Sequence, residues 1–290
     1  VVTTGTQTFT GSKTFNEDVV INGINAGKGP AGNGTNTNTI FGKNAGAAPT
    51  ATSTTVADNV AFGCEAMGNN LTGYRNVAVG NQALYCSTAG CCLTAVGFTA
   101  MYSNTNGELN TAVGKQAMYS NTVGNESTAV GANALLLSNT GQCNTAVGSA
   151  ALLCTTGGSF NTAIGTRALR NSTQNGNTAI GHGALCSQTG GSNSTSIGKL
   201  AGACIADGAT ANLTFNNSVY VGSESRPLGN AQNNQIVIGY QAVGQGANTV
   251  TLGNTSITKT QLRGEISGSK LTIGGTHTNT GTFSSIAGGF

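Results

Sequence analysis

The residues of this 290-residue chain that could carry acid–base, nucleophilic or metal chemistry are nine carboxylates, eight cysteines and two histidines. Glycoside hydrolysis needs two facing carboxylates, one to protonate the leaving oxygen and one to attack or to activate water. Asp18, Asp58, Asp207, Glu17, Glu65, Glu108, Glu126, Glu224 and Glu265 are scattered, and no two recur at matching positions in neighbouring copies of the repeat described below. A zinc site needs four Cys or His ligands at characteristic spacings. Cys64, Cys86, Cys91, Cys92, Cys143, Cys154, Cys186 and Cys204 contain no C-x-x-C pair, and His182 and His277 stand alone. Gly27-Lys28-Gly29 lacks the spacing of a phosphate-cradling loop and reads as part of a flexible lead-in. No catalytic, metal or cofactor-binding residue is therefore assigned, and the chain is read as something other than an enzyme.

Composition narrows the remaining classes. Charged residues make up 7% of the chain, against roughly 25% in an average soluble domain. There are 45 glycines, 3 prolines and no tryptophan. Low charge excludes a disordered polyelectrolyte, and the lack of proline and of glycine at every third residue excludes collagen. A net charge of +3 with no Lys/Arg cluster offers little to a phosphate backbone, so nucleic acid is not an expected partner. No apolar run approaches the roughly 18 residues of a membrane helix, and membrane insertion of this segment is not expected. No secretion signal opens the chain, and Val1 in place of Met suggests a fragment or a processed product. The cysteines read as reduced, partly buried thiols, since disulfide frameworks belong to small secreted domains.

Order must come from repetition. The strings NVAVGNQAL at 76, NTAVGKQAM at 110, STAVGANAL at 127, NTAVGSAAL at 144 and NTAIGTRAL at 161 are copies of one motif, with looser copies NSVYVG at 217, NQIVIG at 234 and NTVTLG at 248. Aligned on their glycine, the copies mark Gly42, Gly63, Gly80, Gly97, Gly114, Gly131, Gly148, Gly165, Gly181, Gly198, Gly222, Gly239 and Gly253. Every step from Gly63 to Gly165 is 17 residues, and the later steps are 16, 17, 24, 17 and 14.

Each column has a physical reading. Val, Ile, Leu or Phe precedes the glycine (Val113, Ile164, Leu252, Phe62), and Thr, Val or Ile lies two places earlier (Thr111, Val77, Ile236). Such β-branched pairs share one face of a strand, and the small residue between them, usually Ala, makes the other. The marker glycine supplies a positive φ or room at a bend. Ala follows three residues later, then Leu or Met, and a second corner is expected at Gly73, Gly90, Gly107, Gly124, Gly141 and Gly158. Two glycines per unit oppose a helix. Units this short fold only when stacked, so the period predicts an all-β, repetitive parallel β-solenoid with rungs about 4.8 Å apart, a rod segment about 60 Å long. Asn and Thr at fixed columns either ladder from rung to rung or serve only as polar turn residues. The small Ala face and the Leu/Met corner are expected to leave an apolar stripe in water, the mark of an interface.

The N-T-A-V-G-x-x-A-L copies, and still more N-S-V-Y-V-G, N-Q-I-V-I-G and N-T-V-T-L-G, resemble the YadA-like head repeat of trimeric autotransporter adhesins. Similar repeats occur in tail and virion fibres of phages and large viruses, and residues 5–15 (GTQTFTGSKTF) resemble the lead-in of phage fibre repeat regions. The resemblance spans residues 38 to 258. It implies a left-handed β-roll, three copies of which lie side by side as a homotrimer, with host cell-surface glycan or protein and a virion attachment protein as further partners.

The organisation expected is a lead-in at 1–37, a 17-residue-repeat roll at 38–203, an insertion loop at 204–216, shorter-period rungs at 217–258, and a cap leading to a further repeat region at 259–290. A chain ending in THTNTGTFSSIAGGF is expected to continue. Eight thiols suit assembly in a reducing cytoplasm better than export through an oxidising periplasm. The expected role is thus a structural fibre at a virion surface that supports host attachment, the alternative being an adhesin head on a bacterial cell surface.

Overall fold

The computed structural model describes residues 19–21, 24–27, 37–46 and 57–260. The rest of the lead-in, residues 47–56 of the expected roll, and the expected cap from 261 onward lie outside the described residues. The chain divides into two units, Val1–Ser256 and Ile257–Phe290. In the second, described residues 257–260 belong to no strand.

The first unit holds one sheet whose strands follow chain order: β1 (Val19–Ile21), β2 (Ile24–Gly27), β3 (Thr39–Gly42), β4 (Val60–Phe62), β5 (Val77–Val79), β6 (Thr94–Val96), β7 (Thr111–Val113), β8 (Thr128–Val130), β9 (Thr145–Val147), β10 (Thr162–Ile164), β11 (Thr178–Ile180), β12 (Thr195–Ile197), β13 (Val219–Val221), β14 (Ile236–Ile238) and β15 (Val250–Leu252). From β3 to β15 neighbouring strands are parallel, so each strand follows its predecessor after one circuit of the chain. The fold is a β-solenoid, and no helix occurs among the described residues.

Register follows the repeat. Thr111, Ala112 and Val113 lie beside Thr128, Ala129 and Val130, which lie beside Thr145, Ala146 and Val147. Where the repeat lengthens between Gly198 and Gly222, β12 still pairs in register with β13. The surplus residues leave the rung as a small loop closed by an antiparallel bridge between Cys204 and Ala211. The start of the solenoid differs from a flexible lead-in: β1 and β2 pair antiparallel, and β2 pairs antiparallel with β3. An uncovered β3 would present a row of unpaired backbone groups, and β2 satisfies them.

The interior is narrow and filled from three columns. The middle strand residue (Ala78, Ala95, Ala112, Ala129), the Ala three past the glycine (Ala83, Ala100, Ala117) and the Leu or Met after it (Leu84, Met101, Met118, Leu135) are all buried. The apolar stripe in water is consequently not the one expected from the sequence. Ala and Leu/Met point inward, and the β-branched pair points outward, with Val113 37% and Ile164 41% exposed. The cause is volume: a circuit of about 17 residues closes round a space that two alanines and one long side chain fill, which leaves no room for two β-branched residues. Tyr220 shows the same limit, since it takes the place of an inward alanine only where Gly202 stands in the Leu column beside it and Phe215 meets its ring edge-on at 5.3 Å.

The corner after each strand explains the marker glycine. At Gly131 φ is +134°, a region closed to side chains, and a Cβ there would lie 2.6 Å from the Gly148 carbonyl oxygen of the next rung. Two and four residues on, the backbone is left-handed at residues that are not glycine, such as Gln116 (φ 56°) and Met118 (φ 52°). Burial of the Met or Leu side chain offsets the roughly 1–2 kcal/mol that this conformation costs. The second glycine column is a matter of space: at Gly141 a Cβ would meet the Gly158 carbonyl oxygen at 2.3 Å.

Gly131→Ala is expected to lower unfolding free energy by at least about 3 kcal/mol in urea denaturation, through strain and overlap together. Gly157→Ala, at an exposed position where the nearest atom to a new Cβ is 3.7 Å away, is expected to stay within about 0.5 kcal/mol.

Candidate functional site

Two sets of recurring side chains distinguish this solenoid, one buried and one outward. The buried set stands four residues before the marker glycine: Asn59, Asn76, Asn110, Ser127, Asn144, Asn161, Asn177, Ser194, Ser218 and Gln235. Asn144 shows the wiring. Its Nδ2 donates to the Gly158 carbonyl at 2.8 Å, and its Oδ1 accepts from the Asn161 backbone N–H at 3.0 Å. Its own N–H donates to Ser127 Oγ at 3.1 Å. The same links join Asn59 to Asn76, Asn161 to Asn177 and Asn177 to Ser194. Of the two readings open for Asn in the sequence, the ladder is therefore the one observed. Leu93 interrupts it: the Leu93 N–H donates to Asn76 Oδ1 at 2.9 Å, but its side chain has no oxygen to offer the next rung.

The outward set is the strand face itself. On β3 to β15 the two outward positions of each strand are Thr, Val, Ile, Phe or Leu throughout, from Thr39 and Phe41 to Val250 and Leu252. No charged or amide side chain interrupts this face. At its beginning the rings of Phe41 and Phe62 stack 5.1 Å apart. Thirteen strands at about 4.8 Å extend the face over about 58 Å.

A third column, five residues past the glycine, carries Tyr85, Tyr102 and Tyr119 with rings stacked at 5.3 and 5.2 Å, continued by Leu136 and Leu153. The sequence reading passed over it, although its signal was three tyrosines 17 residues apart. The left-handed residues had no comparable signal, because Leu, Met, Gln and Arg carry no turn preference that would mark them.

The marker glycines from Gly42 to Gly253 all have positive φ and line one corner of the solenoid. The groups examined for chemistry do not converge. Glu65 accepts from Gln82 Nε2 at 2.8 Å and Glu224 from Gln241 Nε2 at 2.8 Å, both between neighbouring rungs, and Asp58 lies 4.0 Å from Arg75. Among the described residues no three His, Cys, Asp or Glu side chains form a group that could hold a metal ion. His277 lies outside the described residues. The eight cysteines are free. Cys86 and Cys154 share a column but sit four rungs apart, about 19 Å, far beyond disulfide reach. Burial pushes the Cys86 and Cys204 thiols above the ordinary range. Cys91 is raised by burial too, with the Tyr74 hydroxyl bonded to it pulling the other way.

No helix among the described residues is long and apolar enough to cross a membrane. No family model, curated protein or solved structure matches the chain.

Asn144→Ala removes an acceptor and a donor from adjoining rungs and leaves the buried Gly158 carbonyl without that amide; a loss of about 2–4 kcal/mol is expected in urea denaturation. Alkylation followed per cysteine by mass spectrometry is expected to show Cys86 and Cys204 reacting more slowly in the folded than in the unfolded chain at pH 8, with their rates rising at higher pH than in the unfolded chain. Because the raised value belongs to the folded state, these thiols leave stability unchanged below their ordinary range and lower it as pH rises through it.

Proposed function

We propose that this chain is the shaft of a homotrimeric structural fibre at a virion surface, a left-handed β-roll of which three copies lie side by side and support host attachment. The observation that carries the reading is the outward strand face, uncharged over its whole length and with Val, Ile, Phe or Leu at one or both outward positions of every strand from β3 to β15. Apolar surface this long and continuous is uncommon on monomers and marks a protein–protein contact. Its straight register also suits an identical partner, since equal rung spacing lets side chains of two copies interleave at every turn. The resemblance of the repeat to adhesin heads and virion fibres supports three copies, and the free thiols favour assembly in a reducing compartment.

Sedimentation equilibrium of the chain is expected to give a trimer; a stable monomer overturns the proposal. Val130→Lys with Val147→Lys, which add two charges to the outward face, are expected to weaken assembly at least about tenfold while far-ultraviolet circular dichroism stays that of a β-solenoid. The complete coding sequence separates the two locations. A capsid- or tail-binding region upstream supports the virion fibre, whereas a signal peptide with a C-terminal membrane β-barrel overturns it in favour of a bacterial adhesin.

A further inference from the structure

We propose that the two corners flanking the outward strand face are the two halves of one contact between copies of this chain, with Glu108 of each copy opposite Lys115 of the next. This rests on the trimer proposed above and adds the direction and axial register of its copies.

Among the described residues of rungs β3 to β12, every charged side chain except Arg170 stands at one of two corners. One corner enters the strand, five and six residues before the marker glycine, and the other leaves it, one and two residues after. The strand between them carries no charge. An uncharged band edged by charge is the layout of an interface core and its rim. The two edges differ in sign. Glu108 and Glu126 are exposed at the entering corner, whose one cation among the described residues, Arg75, lies 4.0 Å from Asp58. Lys43, Lys115, Arg167 and Lys199 are exposed at the leaving corner, whose acids Glu65 and Glu224 accept hydrogen bonds from Gln82 and Gln241. Cys143 Sγ reaches Glu126 Oε2 at 3.6 Å, a weak bond that leaves the charge in place. Among the described residues neither Glu108, Glu126, Lys115 nor Arg167 has an ion-pair partner in its own chain.

Symmetry decides which residues meet. Three parallel copies that turn their strand faces to a threefold axis have strands running in one rotational sense, so the leaving corner of one copy meets the entering corner of the next. Closed cyclic symmetry carries no axial shift, so every rung meets the same rung of its neighbour. At β7, Glu108 enters and Lys115 leaves the same strand. Within one chain the two are separated by the strand, about 20 Å, so these charges meet only between copies. At β10 the ring of Phe160, 66% exposed, falls opposite the Arg167 guanidinium, and a cation over an aromatic face is favourable. At β6 Cys91 and Cys92 fall opposite Phe98, 51% exposed. The β4 rung opposes Asp58 to Glu65, and Arg75 beside Asp58 offsets that repulsion. A slip of one rung would set Phe98 or Ala132 against Glu108 in place of Lys115. Charge at the rim thus selects one register among stackings that the repeat makes nearly alike.

Sedimentation equilibrium of charge-reversed full chains tests the assignment. Lys115→Glu and Glu108→Lys are each expected to raise the concentration of half-assembly at least about tenfold, because like charges then face each other three times per trimer. The double swap is expected to return it to within about threefold of the unchanged chain, and salt near 1 M to bring all four proteins together. Arg170→Glu, away from both corners, is expected to leave assembly unchanged. Far-ultraviolet circular dichroism of every variant is expected to match the unchanged chain, since the altered side chains are exposed. Carbodiimide coupling of the unchanged trimer is expected to join Glu108 of one copy to Lys115 of another, read by mass spectrometry of the cross-linked oligomer band and lost in Lys115→Gln. A trimer indifferent to both reversals, a double swap no better than the single variants, or a trimer without the Glu108–Lys115 cross-link overturns this assignment alone. An unchanged chain that stays monomeric overturns the trimer itself.

Discussion

A buried amide that donates to one rung and accepts from another is the interaction on which the rest of this solenoid depends. Parallel strands three residues long carry too few hydrogen bonds to fix their own register, and a slip by one residue would turn every inward alanine outward. The Asn and Ser column removes that freedom. From Asn59 to Ser218, Leu93 apart, each side chain accepts from a backbone N–H of the following rung, and many also meet a corner carbonyl, so a slipped register would leave these buried groups unmet. Polar groups inside a narrow core would ordinarily cost stability; here they decide which of several similar stackings is the native one.

Stacking at this spacing also dictates what surrounds the ladder. From Gly42 to Gly222 in the marker column and from Gly73 to Gly158 in the second, a neighbouring rung's carbonyl comes within 2.7 Å of any added Cβ. The inward space then holds alanine and one Leu or Met per turn, and the β-branched residues that favour a strand are left on its outer face. A core of that width stabilises each rung modestly, which is why the structure is a long array in which every turn leans on two others. The ends need separate treatment, and the first is covered by β2 running antiparallel to β3.

The same geometry frames the functional reading. A face without charge along thirteen strands is a consequence of the fold that becomes useful once copies associate, and the proposed trimer would cover it. Chemistry that depends on convergent side chains fits poorly on a surface whose columns repeat at fixed distances. Individuality enters where the repeat breaks: the longer step after Gly198 introduces the Cys204–Ala211 loop and Tyr220.

Much of this was legible in the amino-acid order. Thirteen aligned glycines, the alternation in N-T-A-V-G and the 17-residue step were enough for strands, corners and parallel stacking, because those features follow from local sterics and from period alone. The sequence also narrowed Asn to a ladder or a turn residue. It could not decide which strand face points inward: alternation assigns Thr and Val to one side and Ala to the other, yet says nothing of how much volume a closed circuit encloses. Nor could it mark Met118 or Leu135 as left-handed, since those residues accept that conformation only against the packing of neighbouring rungs. Period and turn chemistry are local and so are written in the chain, whereas the direction of each face depends on the space left once the rungs have closed on one another.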